Sequence, residues 1–334
     1  NYRVSNTIFG ALFLFSAFVL YTIRMKWILW GALSASLLLN IVLIILTPGT
    51  FDKNDPSKYP YLSKRIFAQG QNEILINFIP LRNALRDYVD KLPDTVGVYF
   101  EYLPSGVSIG VNDRQELAIA SLIKTPLVMA IYRQIEKGVI KKDDVVTMQE
   151  EYIDKGFGNL WQRGVGTELT VSELTKITLE ESDNTASKML GSLIPKEEIR
   201  KVFDSLDIPM NTQENDKTIT VSPKSYSSIL RSLYLSSYLE REHSNEILDI
   251  LTKTLYDDKI VAGVPSSIKV AHKIGIWDID SVNGKGVIYN DCGIVYVPDR
   301  SYLLCIMTKT DEINAKLYMK TISKMIYSYV SKVR

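Results

Sequence analysis

Two uncharged apolar stretches constrain this chain more than any other feature. Twenty residues (4–23) lie between Arg3 and Arg24, and 25 more (27–51) lie between Lys26 and Asp52, none of them charged. Both stretches are rich in Leu, Ile, Phe and Val. About 20 apolar residues suffice for a helix to span a bilayer. Tyr21, Trp27 and Trp30 fall on the Arg24 side, where interfacial aromatics sit. The pattern predicts a hairpin of two transmembrane helices, about 4–23 and 27–47, with residues 4–47 in the lipid bilayer. Two other readings fit the same stretches: a cleaved signal peptide followed by a single anchor, and two buried helices of a soluble protein. A cytoplasmic Arg24-Met25-Lys26 loop puts residues 52–334 outside. Lys53, Lys58, Lys64 and Arg65 oppose that orientation only weakly, because long domains cross largely regardless of charge. The expected location is a multi-pass position in the cell membrane, with an extracytoplasmic domain. The hairpin also offers a surface to a membrane-protein partner.

Charge and composition exclude two function classes. The chain carries 39 basic and 38 acidic residues, a balance that argues against a nucleic-acid surface. Two His and two Cys are too few for a zinc site without distant carboxylates, so neither metal nor cofactor is expected. Cys292 and Cys305 flank Pro298-Asp299-Arg300. In a hairpin turning at 298 and 299, paired positions sum to 597, as 292 and 305 do. The favoured expectation is nevertheless two small buried thiols, since directly opposed strand cysteines often fit disulfide geometry poorly.

Beyond the apolar stretches, Pro48, Pro56 and Pro60 among scattered charges read as a linker, and residues 52–81 form a lead-in. A helix is expected around 82–92, then a hairpin of 95–103 and 107–111. Several helices follow. Thr170 and Glu173 form a capping box, and Ser222-Pro223 opens another helix. Three strand patterns (267–275, 286–297, 301–308) precede a closing amphipathic helix over 311–333. Strands, many helices, strands, helix predict an α+β domain over 82–334, its antiparallel sheet built from both chain ends.

At the start of "ASLIKTPLVMAIY", Ser121 and Lys124 stand three apart, on one helix face. A serine hydroxyl attacks once a base takes its proton. A lysine can be that base when burial or a nearby cation lowers its pKa. A direct or one-water contact between the two is therefore expected. By itself the pair reads as an ordinary helix start with a snorkelling lysine. Two further motifs change this: Ser182-Asp183-Asn184 between two helical patterns, and Lys273-Ile274-Gly275 ending a strand pattern.

S-x-x-K, S-D-N and K-T-G in this order are the signature of class A β-lactamases and penicillin-binding proteins. With its flanks "VGVYFEYLPSG", "ESDNTASKML" and "NDCGIVYVPDR", residues 93–334 resemble that family. The resemblance implies a β-lactamase/transpeptidase-like fold with an all-helical subdomain, and roles position by position. Ser121 becomes acylated, and Lys124 is its base. Ser182, held near both lysines, relays a proton to the leaving nitrogen. Asn184 binds the substrate's amide side chain and orients Lys124. Lys273 supplies positive charge near Ser182 and near a substrate carboxylate. The N–H groups of Ser121 and Ile276 form an oxyanion hole, with Gly275 beside them. "GFG" (156–158) resembles a loop lining the family's cleft. Asp183 reads as structural, and His272 as a packed, hydrogen-bonded histidine.

The sequence departs from the family twice. Ile274 and Ile276 replace residues whose hydroxyls bind a carboxylate. The stretch 206–223, where the family carries a water-activating Glu, offers only Glu214, which reads as a solvated turn residue. Glu180 and Glu181 lie on the other side of the Ser-Asp-Asn turn. The expectation is a membrane-anchored serine acyl-enzyme acting on a small-molecule or cell-wall peptide amide, acylated readily and deacylated slowly. A receptor or scaffold of the same fold with little turnover is the competing reading.

Overall fold

The computed structural model describes residues 27, 30–39, 58–62, 76–212, 219–278 and 286–332. Most of the two expected spans, and Glu214, lie outside these residues. Residues 30–39 are helical and expose Leu33, Leu37, Leu38 and Leu39. Among the described residues, no helix is long and apolar enough to cross a membrane. The transmembrane hairpin is therefore not supported by the described structure.

From Tyr59 onward the chain forms one compact unit. Helix α1 (Ile79–Val89) leads into strands β1 (Thr95–Tyr102), β2 (Val107–Val111) and the short β3 (Leu117–Ala118). Helix α2 (Lys124–Glu136) follows, then β4 (Val145–Thr147) and β5 (Glu168–Thr170). Helices α3 (Val171–Glu180), α4 (Asn184–Gly191) and α5 (Lys196–Asp204) complete the helical part. Then come β6 (Asn211–Thr212), β7 (Ile219–Val221), α6 (Pro223–Leu235) and α7 (Arg241–Leu251). Strands β8 (Val270–Trp277), β9 (Val287–Val295) and β10 (Tyr302–Thr310) precede α8 (Glu312–Lys332). The main sheet runs β2-β1-β10-β9-β8, antiparallel throughout, so both chain ends build it as expected.

Alternation along the strands separates two buried clusters. Val96, Val98 and Phe100 join Leu85 of α1 and Met319, Ile322 and Ile326 of α8 on one face. Leu303 and Met307 join Met129 of α2, Leu174 of α3 and Ile229 of α6 on the other. The expected caps are present. Thr170 and Glu173 close a reciprocal capping box on α3, and Ser222 Oγ accepts from Ser225 N ahead of Pro223.

Cys305 pairs with Cys292 across β9 and β10, in the register expected from the turn. The expectation of two free thiols is corrected: the sulfurs are bonded. Direct opposition brings the Cα atoms to 3.9 Å, and both side chains leave the sheet on the same face, so the sulfurs meet.

The lead-in is packed in part. Leu62 is buried, Tyr61 N donates to Asn245 Oδ1 at 3.2 Å, and Tyr296 Oη donates to the Tyr61 carbonyl at 3.2 Å.

Candidate active site

Ser121 does not sit on the long helix itself. It lies in a 3-10 turn, Ala120–Ile123, and α2 begins at Lys124. In a 3-10 turn residues three apart eclipse, so the two side chains still share a face. Ala120 adopts φ +51°, a left-handed conformation that costs an Ala about 1 kcal/mol. The surroundings hold it there. Ile119 N donates to the Ile219 carbonyl at 2.8 Å, and β3 pairs with β7. From β9, Asn290 Nδ2 donates to the Ala118 carbonyl at 2.9 Å. Tyr226 Oη donates to the Leu122 carbonyl at 3.1 Å. Gly275 allows β8 to close on this turn: a Cβ there would stand 3.1 Å from the Ile119 carbonyl oxygen and 3.2 Å from Ala120 Cβ.

The Ser-Asp-Asn turn approaches from the helical part. Ser182 is fully buried with φ +57°, strain of the kind that gathers at functional sites. Its hydroxyl accepts from Lys273 Nζ at 2.7 Å and from Lys124 Nζ at 3.4 Å. Lys124 Nζ also donates to the Ser182 carbonyl and, at 2.7 Å, to Asn184 Oδ1. One hydroxyl thus lies between two amines, as the resemblance implies.

Asp183 has the structural place expected. It is fully buried and caps α4, its Oδ1 accepting from Ala186 N and its Oδ2 from Leu160 N, each at 2.8 Å. The "GFG" loop locks onto this turn. Asn184 N donates to the Phe157 carbonyl at 2.9 Å. Gly158 has φ +85°, and a Cβ there would lie 2.1 Å from Asp183 Oδ2. Gly158→Ala therefore combines backbone strain with displacement of the capping carboxylate. We expect it to destabilise the domain by about 2–4 kcal/mol, read as a lowered urea midpoint. A midpoint equal to wild type would show that the loop does not lock the turn.

Burial drives the electrostatics. Desolvation lowers the Lys124 pKa to about 8, and the Asp183 and Asp154 charges oppose it only in part. Desolvation also lowers Lys273 well below its usual value, the charge of Lys124 adds to this, and Asp291 opposes it. An amine that loses its proton near neutral pH can accept one from a serine hydroxyl. Of the direct or one-water contact expected between Ser121 and Lys124, the direct hydrogen bond is not formed among the described residues. Such contacts are often loose in an unliganded enzyme.

Lys273 is fully buried and reaches Ser182, the first of its two implied contacts. Ile274 is buried as well, and Ile276 packs against the α1–α8 cluster. His272 is the packed histidine expected: its Nδ1 lies 2.8 Å from Asp291 Oδ1, and Asp291 Oδ2 accepts from Ile260 N at 3.0 Å.

Comparison with known proteins places this geometry. The model of the Beta-lactamase enzyme family matches residues 80–330. The chain belongs to that family. It is a serine hydrolase of the β-lactamase type. It is 26% identical over 240 residues to a β-lactamase of Proteus vulgaris, covering 65% of this chain and 88% of that one. It is 22% identical over 244 residues to Beta-lactamase VEB-1 of Pseudomonas aeruginosa, covering 66% and 81%. Solved structures share the fold. PBP-A superposes with a TM-score of 0.68 at 24% identity, over 76% of this chain and 97% of that one. A PBP-A mutant solved as an acyl-enzyme with penicillin G gives 0.68 at 25% identity, over 76% and 97%. A β-lactamase of Sphaerobacter thermophilus gives 0.69 at 22% identity, over 78% and 100%.

Three residues of this β-lactamase-family site went unread in the sequence: Asp154, Asn290 and Asp291. Asn290 and Asp291 stand in a quoted stretch, "NDCG", yet no spacing rule connects them to the serine turn. Asp154 lies 30 residues from Asn184, its partner, in a loop without periodicity.

Proposed function

We propose that the protein is a membrane-tethered serine acyl-enzyme in which Ser121 attacks an amide carbonyl, a β-lactam or a cell-wall peptide, and deacylates slowly. The observation that carries this reading is the Ser182 hydroxyl shared by Lys124 and Lys273. In the first step Lys124, as the neutral amine, takes the Ser121 proton while Oγ bonds to the carbonyl carbon. The N–H groups of Ser121 and Ile276 stabilise the oxyanion, where one such donor typically contributes ~3 kcal/mol. Ser182 then passes a proton to the leaving nitrogen as the C–N bond breaks, and a lysine restores it. Asn184 orients Lys124 and binds the substrate's amide side chain.

Slow deacylation is supported by the stretch 206–223, whose only Glu, Glu214, reads as a solvated turn residue. A PBP-A mutant captured as its penicillin acyl-enzyme shares the fold. With a chromogenic cephalosporin, the expected time course is a burst of about one product per enzyme, followed by slow turnover. Rapid linear turnover with no burst would contradict it.

Ile274 and Ile276, standing where the family has hydroxyl residues, favour a second reading, a receptor of the same fold with little turnover. Neither burst nor turnover from folded protein would select it. The tether rests on stretches 4–23 and 27–51. The full chain is expected to stay with lipid vesicles after an alkaline carbonate wash. Release by that wash would remove the tether from the account.

A further inference from the structure

The Asn184 side chain is fixed at both ends. Its oxygen accepts from Lys124 Nζ at 2.7 Å, and its nitrogen donates to Asp154 Oδ1 at 3.0 Å. The same Asp154 oxygen accepts from Gly156 N at 2.9 Å, and Oδ2 pairs with Lys188 Nζ at 3.0 Å. The backbone of Asp154 is pinned too. Its N–H donates to Thr185 Oγ1 at 3.0 Å, and that hydroxyl donates to the Asp154 carbonyl at 3.2 Å. Positions 184, 185 and 188 of α4 thus hold one loop residue against the base. A flipped Asn184 amide would set NH2 against the lysine amine and oxygen against a carboxylate. The oxygen–carboxylate contact is repulsive whatever the charge of the lysine, and the NH2 contact is repulsive to its ammonium form, so a single orientation is selected.

We propose that Asp154 is a positioning residue for acylation, locking the Asn184 amide with its oxygen on Lys124 and so holding that amine in place for proton transfer. This rests on the reading of Ser121 as the acylated nucleophile. The charged groups around Lys124 are Asp154 from the loop, Asp183 from the cap of α4, and Lys273 from β8. Asp154 itself stays ionised. Burial raises its pKa, but hydrogen bonds from Asn184, Gly156 and Lys188 outweigh this and hold the carboxyl below its usual value.

Two variants separate positioning from charge. Asp154→Ala removes the hydrogen-bond acceptor and the charge. Asp154→Asn removes the charge and the acceptor for Lys188 but keeps the oxygen that the Asn184 and Gly156 N–H groups share. The full chain in micelles is assayed for penicillin acylation at roughly pH 9, where the Lys124 amine is mostly neutral in all forms. The Lys124 titration is followed separately by NMR of 13Cε-labelled lysine. Asp154→Ala is expected to acylate roughly tenfold more slowly, and Asp154→Asn within about twofold of wild type. In both variants the Lys124 midpoint falls below that of wild type, while thermal midpoints stay within a few degrees of it. Acylation of Asp154→Ala at the wild-type rate overturns the proposal. So does an Asp154→Asn variant as slow as Asp154→Ala, or a Lys124 midpoint unmoved in both. If wild type is not acylated but the midpoint moves as stated, the acyl-enzyme reading fails and the placement of Lys124 by Asp154 stands.

Discussion

Ser121→Ala is expected to abolish covalent labelling by a fluorescent penicillin, a loss of at least about 10³-fold in acylation rate. The variant removes the atom that attacks. It leaves the turn intact, because Ser121 Oγ makes no hydrogen bond to the described residues, so the melting temperature should match that of wild type. Labelling that persists in folded Ser121→Ala would move the nucleophile elsewhere. The neighbouring hydroxyl, Ser182, is the alternative the geometry offers, but it is fully buried between two amines, and attack from there would require the turn to open.

Removing the base should cost almost as much. Lys124→Met is expected to slow acylation by about 10²–10⁴-fold. In wild type the rate should rise with pH through a midpoint near 8, where Lys124 loses its proton. Interaction with Lys273 makes that midpoint a property of the pair. The same shift has a stability consequence, and its sign follows from proton counting. Folding depresses the Lys124 pKa from 10.5 to about 8, so between those values the unfolded chain binds more protons. Stability from this group therefore rises with pH across that window, and below it the desolvation cost is fully present. Many buried tyrosines act in the opposite sense near pH 10 in the unfolded chain. The useful quantity is therefore wild type minus Lys124→Met, measured by urea unfolding at about pH 8 and about pH 10. The difference should shift in favour of wild type as pH rises. A difference that is flat with pH would mean that Lys124 is not depressed in the folded state.

How far the sequence reached depends on which physics each feature obeys. Strand and helix positions follow periodicity and caps, which are local. The β9–β10 register follows from one turn, and the Thr170 and Ser222 caps follow from hydrogen bonds within three residues. The three motifs were legible because each is a short run. What joins them is not local. Ser182 comes to lie between Lys124 and Lys273 because the turn joining α3 to α4 meets the start of α2 and strand β8, and no spacing encodes that. Asp154 escaped notice for the same reason: its partners lie on a later helix and its own loop has no pattern. The cysteines show the opposite failure. The register was read correctly, while a general rule about opposed cysteines outweighed it. Lys273 shows what the resemblance could add to spacing: its contact with Ser182 joins two motifs 91 residues apart.

The central claim is that Ser121 becomes covalently acylated and stays so. Mass spectrometry of the wild-type chain, quenched minutes after exposure to penicillin and digested with trypsin, tests this directly. The tryptic peptide spanning residues 115–124 contains Ser121 and no other serine. The expected result is an adduct of one intact penicillin on that peptide, still present minutes after free drug is removed. An unmodified peptide 115–124 from folded, penicillin-treated protein, or an adduct on a different peptide, would contradict the account.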